Sequence, residues 1–322
     1  MSYVESIGNI SINEELGNWY LDYSGIVDVT QSGFYGQLDN NGIPSVDYDK
    51  LFKKNRWYFN NFKNTQFGVH YTPVAVAQYG LGLFFHYNRT KDTNKRILIE
   101  RCADWFVNNL KEKGSCGFWE HTWAEPVYNI KPPWISAMTQ GEAISLLIRA
   151  FQEFKKDEYF TSAEKAFNSF IDSDIVYRDE HNNIWFEEYP TKPPSHVLNG
   201  FIFALLGIFD FYRVTKNRKS LKLWSDGIKT LEKNIRRYDS GYWTRYDLLF
   251  KRVTSKAYHN LHINQLKVLY ELTGINTFYN TYIRWEGYKS GLVHYFRRKI
   301  SGRIYNRLIS RCKYVGIEKG RQ

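Results

Sequence analysis

Four segments of this chain carry one layout, and that repetition constrains the fold more than any other feature. Each has a polar entry, an amide, a long apolar helix pattern, a short polar loop and a second, one-sided helix pattern. They begin PVAVAQYGLGLFF at Pro73, SAMTQGEAISLLIRAF at Ser136, SHVLNGFIFALLGIF at Ser195 and YHNLHINQLKVLY at Tyr258. Their amides, Gln78, Gln140, Asn199 and Asn264, stand 62, 59 and 65 residues apart. A fixed period of that length signals a repeat architecture, in which each unit buries its apolar face against the next. Ala, Gly, Leu and Phe nearly all round the first helix of each unit predict burial on every side. The second helices, over 95–111, 161–171, 219–235 and 277–288, are apolar on one side and face water on the other. Alternating inner and outer helices predict an all-α-dominated fold, an α/α toroid of four αα-hairpin repeats.

Between the repeats lie short alternating runs with turn signals, at 114–123, 179–189 around Asn182-Asn183, and 238–248 around Asp239-Ser240-Gly241. These predict β-hairpins carrying the chain from one outer helix to the next inner one. They would overhang the barrel mouth, where loops on a rigid scaffold carry function. The repeat fills residues 66–291. Residues 1–65 predict loops and one or two hairpins, for instance at Asp39-Asn40-Asn41-Gly42, and residues 292–322 form a basic tail.

Hydrophobic residues make up 43% of the chain and aromatics 18%, which excludes a disordered protein. The net charge of +11 is unevenly placed. From Phe296 onward nine basic residues face one acid, so the body is close to neutral. In that tail Arg303, Arg307 and Arg311 fall on one helical stripe beside Ile300, Ile304 and Leu308. Such a stripe suits an anionic membrane surface, an acidic polymer or a protein partner, or is simply solvated. Nucleic acid is disfavoured, because the basic residues sit on no recognisable binding module. Cys102, Cys116 and Cys312 have spacings that fit neither a disulfide framework nor a zinc site. No signal peptide is read at the N-terminus, and the apolar run 197–211 is too short for a membrane span, so it predicts a core helix. The expected location is cytoplasmic, peripheral to the inner membrane face if the tail binds there.

The candidate chemistry gathers at the junctions between hairpins and inner helices. Tyr189 follows Glu187 and Glu188 in EEYP, Tyr246 closes YDSGYWTRY, and Tyr258 opens YHNLHINQL beside His259 and His262. One junction tyrosine among the chain's 25 is ordinary packing; three at equivalent junctions suggest a site. His259 and His262 share a helix face, but no third ligand is visible and no metal is expected. Trp119, His121, Trp123 and Trp134 flank the second inner helix, where they either stack on sugar rings or pack the core.

WFEEYPTKPPSHVLNGFIFALLGIFDF, PPWISAMTQGEAISLLIRAF, YDSGYWTRYDL and YHNLHINQLKVLYEL together resemble the C-terminal domain of heparosan glucuronyl C5-epimerases, in the same order and spacing, over roughly 69–291. The short prokaryotic form is the nearest in layout. The resemblance implies an α/α barrel that inverts C5 of D-glucuronate within a polysaccharide, giving L-iduronate without a cofactor. It implies Glu188, Tyr189, Tyr246 and Tyr258 as the catalytic candidates; of these we expect Glu188 and Tyr258 to be the opposed pair and Tyr189 and Tyr246 to hold or protonate the carboxylate. Gln140, Asn199, Arg245, His259, His262, Asn264 and Trp134 are the expected substrate contacts, an acidic polysaccharide the expected partner, and a homodimer is common in the family. The family's Tyr-Asp-Leu motif commonly continues Arg-His; here Leu249-Phe250 follows, with Lys251 and Arg252 next. Either those basic residues take that place or the substrate contact differs. A lyase sharing the C5 proton abstraction, an inverting hydrolase using Glu187 or Glu188 with another acid, and a non-catalytic polysaccharide-binding barrel are the competing readings.

Overall fold

The computed structural model describes residues 37–54, 66–171 and 173–291, together with Arg297 and Ile300. The first 36 residues and nearly all of the basic tail, with Cys312, lie outside the described residues. Four helical hairpins carry the fold. Their inner helices are α2 (Pro73–Thr90), α4 (Ala137–Phe154), α6 (Leu198–Thr215) and α8 (Lys256–Thr273), and each is 18 residues long. The outer helices are α3 (Thr93–Asn108), α5 (Asp157–Asn168), α7 (Arg218–Asn234) and α9 (Asn276–Gly287). A two-residue link joins each pair. Its first residue, Lys91, Lys155, Lys216 or Gly274, adopts the left-handed conformation that ends an α-helix. Inner helices pack side by side in chain order, each backed by its own outer helix, as an α/α toroid requires.

Helix α6 forms the centre of this row. Every residue from Leu198 to Phe211 is buried, so its apolar circumference is enclosed by protein. It is in fact long and apolar enough to cross a membrane, and the fold instead buries it. At its closest approach to α4 the two backbones touch: a methyl group on Gly207 would overlap the carbonyl of Gly141. Trp119, Trp185, Trp224, Trp285 and Phe201 fill the spaces between inner and outer rows, each contributing about 1.5–3 kcal/mol of burial.

The strands are short. β1 (Gln37–Leu38), β2 (Pro44–Asp47) and β3 (Val69–Tyr71) form an antiparallel sheet, its first turn made at Asp39–Gly42 as the sequence predicts. The Asp39 carboxylate accepts the Asn41 and Ile43 amides there. Between the sheet's last two strands lies α1 (Tyr48–Lys54). β4 (Lys111–Lys113) pairs with β5 (Cys116–Phe118), and β6 (Val176–Arg178) with β7 (Ile184–Phe186) through a left-handed Asn182.

Several boundaries differ from the sequence pattern. Helix α5 begins at Asp157 rather than Thr161, because Asp157 and Glu158 favour the positive end of the helix. Helix α6 begins at Leu198, three residues after Ser195, since a buried carboxylate holds Ser195 and His196 in the turn. The expected third hairpin at 238–248 is a looped crossing instead. Isolated bridges join Asp239 to Thr244, Arg245 to Val253 and Asp247 to Val197. Helix α8, at the end of the described row, is not enclosed all round: Tyr258 is 39% exposed.

Candidate active site

Two adjacent glutamates leave β7 and serve different ends. Glu187 clamps the proline-rich turn: one carboxylate oxygen accepts the Ser195 and His196 amides and the Ser195 hydroxyl at 2.7–3.0 Å, and the other meets His196 Nδ1 at 2.6 Å. That commits Glu187 to holding the turn and leaves a hydrolase reading with Glu188 alone. Glu188 points at the start of α6, against Gly200; any side chain at that glycine would overlap its carboxylate. Its Oε2 accepts Asn199 Nδ2 at 3.3 Å, and its Oε1 accepts the Tyr246 hydroxyl at 3.1 Å. Burial raises the Glu188 pKa to about 7, although hydrogen bonds from Tyr189 and Tyr246 and the charge of Arg252 pull the other way. A carboxyl titrating near neutrality can take or give a proton at little cost.

The tyrosines of all three junctions converge on this group. Tyr189 stacks on Tyr128 with centroids 4.3 Å apart and tilts against Trp134 at 5.5 Å. Tyr246 and Tyr258 meet edge to face at 5.1 Å. Burial and then the Glu188 charge push the Tyr258 phenol up to about 12, and hold those of Tyr189 and Tyr246 well above the ordinary tyrosine range. The cation among them is Arg252. Its guanidinium lies over the rings of Tyr246 (4.7 Å) and Tyr128 (5.1 Å), hydrogen-bonds the Tyr128 hydroxyl, and donates from Nε to Asp247 at 2.7 Å. Asp247 is fully buried and also accepts the Phe250 and Lys251 amides, so it folds the turn that aims Arg252 inward. The arrangement brings together a neutral-range carboxyl, several phenols and the Arg252 guanidinium.

Residues 113–287 match the family described as the D-glucuronyl C5-epimerase C-terminus. This chain belongs to that family. Every group just named, from Tyr128 to Tyr258, falls inside the matched span. Among the chain's relatives is D-glucuronyl C5-epimerase of Caenorhabditis elegans, 35% identical over 214 residues, which are 59% of this chain and 34% of the worm protein. The chain thus spans about a third of that relative's length. An uncharacterized protein of Methanocaldococcus jannaschii is 29% identical over 251 residues, 71% of this chain and 80% of the archaeal one. Solved structures with a related outline include the Lin0763 protein of Listeria innocua (TM-score 0.49, 13% identity, 85% of this chain and 73% of that one) and a family 76 glycoside hydrolase, a mannosidase, of Bacteroides thetaiotaomicron (TM-score 0.43, 14% identity, 63% and 54%).

Several residues expected at the site lie elsewhere. Gln140 is fully buried and turns outward, donating to the Gly117 carbonyl and Ser169 hydroxyl and accepting the Trp119 amide. Arg245 leaves the site and donates to the Arg237 carbonyl at 2.9 Å. His259 faces α9: it stacks on Trp243 at 3.7 Å and bonds Thr244 and the Trp285 carbonyl. Asn264 is half-buried, and its neighbour Gln265 turns inward, donating to the Asn199 carbonyl. His262 is buried and held neutral, its pKa lowered to about 3 by burial. Trp134 is mostly buried, stacked on His121 at 4.0 Å and donating to the Trp123 carbonyl, so only its edge toward Tyr189 serves the site. Trp119 is core, its indole donating to the Phe106 carbonyl. No cluster of three or more metal-binding side chains occurs among the described residues.

Sequence reasoning missed Tyr128, Glu125 and Glu142, and weighed Arg252 only as a substitute. Glu142 accepts from Gln78 on α2 at 2.9 Å, and burial raises its pKa well above the carboxylate range. Glu125 is buried, and its charge adds to the upward shift of Tyr128, Tyr189 and Tyr258. Tyr128 and Glu125 lie in an irregular loop that carries no periodic signal; Glu142 was legible as a lone acid in a buried helix.

Proposed function

We propose that this protein epimerises D-glucuronate residues at C5 within a polysaccharide, giving L-iduronate. The observation that carries the reading is the convergence of Tyr189, Tyr246, Tyr258 and Arg252 on one carboxyl, Glu188, whose pKa is near 7. Removing a proton from the carbon beside a carboxylate creates a dianion, which forms only where donors or cations offset the extra charge. Arg252 and the Tyr189 phenol supply that offset at the sugar carboxylate. Glu188 takes the C5 proton from one face, and Tyr258 protonates the carbanion from the other. A phenol whose pKa is about 12 stays protonated at neutral pH and is a donor suited to a strongly basic carbon. Membership of the epimerase family and the position of all these groups within its matched span support the assignment.

The test is incubation with glucuronate-containing polymers in heavy water, with deuterium at C5 followed by NMR. Epimerisation gives deuterium uptake with iduronate signals and no chain shortening. Unsaturated uronate ends absorbing in the ultraviolet would indicate a lyase instead. Glu188→Gln and Tyr258→Phe are each expected to slow the exchange by roughly 10²–10⁴-fold, and wild-type rates in either variant would overturn the assignment of that residue.

A further inference from the structure

Resting on that reading, we propose that Tyr246 carries the proton from Glu188 back to Tyr258 after each turnover. Epimerisation with two opposed groups leaves the enzyme in the wrong state. The C5–H bond breaks and its proton lodges on Glu188, while the Tyr258 O–H bond breaks and forms the new C5–H bond on the other face. The product then leaves behind a neutral Glu188 and a Tyr258 phenolate. Another molecule of the D-sugar cannot react until the proton crosses from one group to the other.

Tyr246 stands between them. Its hydroxyl is 3.1 Å from Glu188 Oε1, and its ring meets that of Tyr258 edge to face at 5.1 Å, so it touches both groups. With Glu188 protonated, the hydrogen bond reverses: Glu188 gives its proton to the Tyr246 oxygen as Tyr246 gives its own to Tyr258. Two O–H bonds break, two form, and no net charge moves in or out. The transfer runs downhill, from a carboxyl titrating near 7 to a phenol titrating near 12. The Arg252 guanidinium, 4.7 Å over the Tyr246 ring, stabilises negative charge as it passes. Neither the family match nor the relatives assign Tyr246 this part.

The experiment uses the full chain with an unlabelled glucuronate–glucosamine polymer. Rapid quenching of Tyr246→Phe is expected to give a burst approaching one iduronate per active site. A steady rate lower by on the order of 10²-fold should follow, rising with added imidazole or acetate, because solvent buffer must then reset the two groups. Wild type should show neither burst nor buffer dependence. In heavy water its first products take deuterium from the pre-exchanged phenols, and product of the turnovers that follow should retain part of its protium at C5, handed on from one substrate to the next, whereas Tyr246→Phe product should be fully deuterated throughout. A Tyr246→Phe protein that turns over at the wild-type rate, or is slow without burst or buffer response, would overturn the relay. If that variant does not fold, the wild-type labelling decides: complete deuteration of the product formed after the first few turnovers per site rejects the relay while leaving the epimerase standing. Absence of any C5 exchange by wild type rejects the epimerase reading and the relay with it.

Discussion

Glu188 is a residue whose burial costs stability once it ionises. Its folded pKa, about 7, lies above the ordinary glutamate value of 4.5, so the folded state binds its proton more tightly than the unfolded chain does. The stabilising effect is fully present below about pH 4.5 and is lost as the pH rises through 7, where the buried group must ionise or be held against its environment. A neutral glutamine escapes that penalty. Glu188→Gln is therefore expected to be more stable than wild type at pH 8, by a few kcal/mol at most given the tyrosine bonds it weakens, with the gain vanishing by pH 4. Urea titrations at the two pH values measure this, and equal stabilities at pH 8 would contradict it. The same ionisation sets activity: a base must be unprotonated, so kcat/KM should fall as the pH drops below about 7. Neighbouring Glu187 makes the contrast within one dipeptide. Four hydrogen bonds to Ser195 and His196 occupy it, and no reading of the letters EE could tell clamp from catalyst.

At the scale of elements, α6 performs two tasks through two glycines. Gly200 leaves room for the Glu188 carboxylate, whereas Gly207 lets α6 lie backbone to backbone on α4. An added methyl should separate these tasks. Gly207→Ala meets backbone, which cannot yield locally, and should cost about 1–3 kcal/mol or more of stability, with exchange activity per folded molecule unchanged. Gly200→Ala meets the Glu188 carboxylate and also its Cβ, which the backbone fixes, so it should cost a similar amount, about 1–3 kcal/mol, and in addition lower C5 exchange per folded molecule by on the order of 10²-fold. Thermal melts and exchange assays on the same samples check both, and the reverse pattern would reject the assignment. The repeat itself was legible because four 18-residue apolar helices leave a period that composition cannot hide. The inward groups were less so. Aligning amides by letter chose Gln140 and Asn264, but helix faces decide direction, and the inward side chains on those helices are Glu142 and Gln265. Arg252 escaped first choice because Asp247 folds a tight turn, with Lys251 left-handed, that brings a residue five positions on back over Tyr246. Periodicity says nothing about such a turn.

Over the whole molecule, charge is separated from the fold. The repeat is close to neutral, its buried charges neutralised in place as in Arg149–Asp210 between α4 and α6, while the basic surplus sits after Phe296. A basic segment next to a nearly neutral repeat can draw in an acidic polymer or an anionic surface. We propose that the stripe of Arg303, Arg307 and Arg311 meets an anionic membrane surface, which would keep the barrel mouth near a polymer made there. Each arginine close to such a surface contributes about 1 kcal/mol, and the attraction fades within a Debye length. The full chain with Arg303→Gln, Arg307→Gln and Arg311→Gln together is thus expected to bind phosphatidylglycerol vesicles roughly 100-fold more weakly at low salt. Its kcat on a soluble polymer should be unchanged, because the proposed catalytic groups lie between Tyr128 and Tyr258. Should vesicle binding survive the triple substitution while KM for the polymer rises, the stripe serves the substrate instead. Raising the ionic strength is expected to weaken either contact, since salt screens the attraction between the arginines and an anionic surface or polymer.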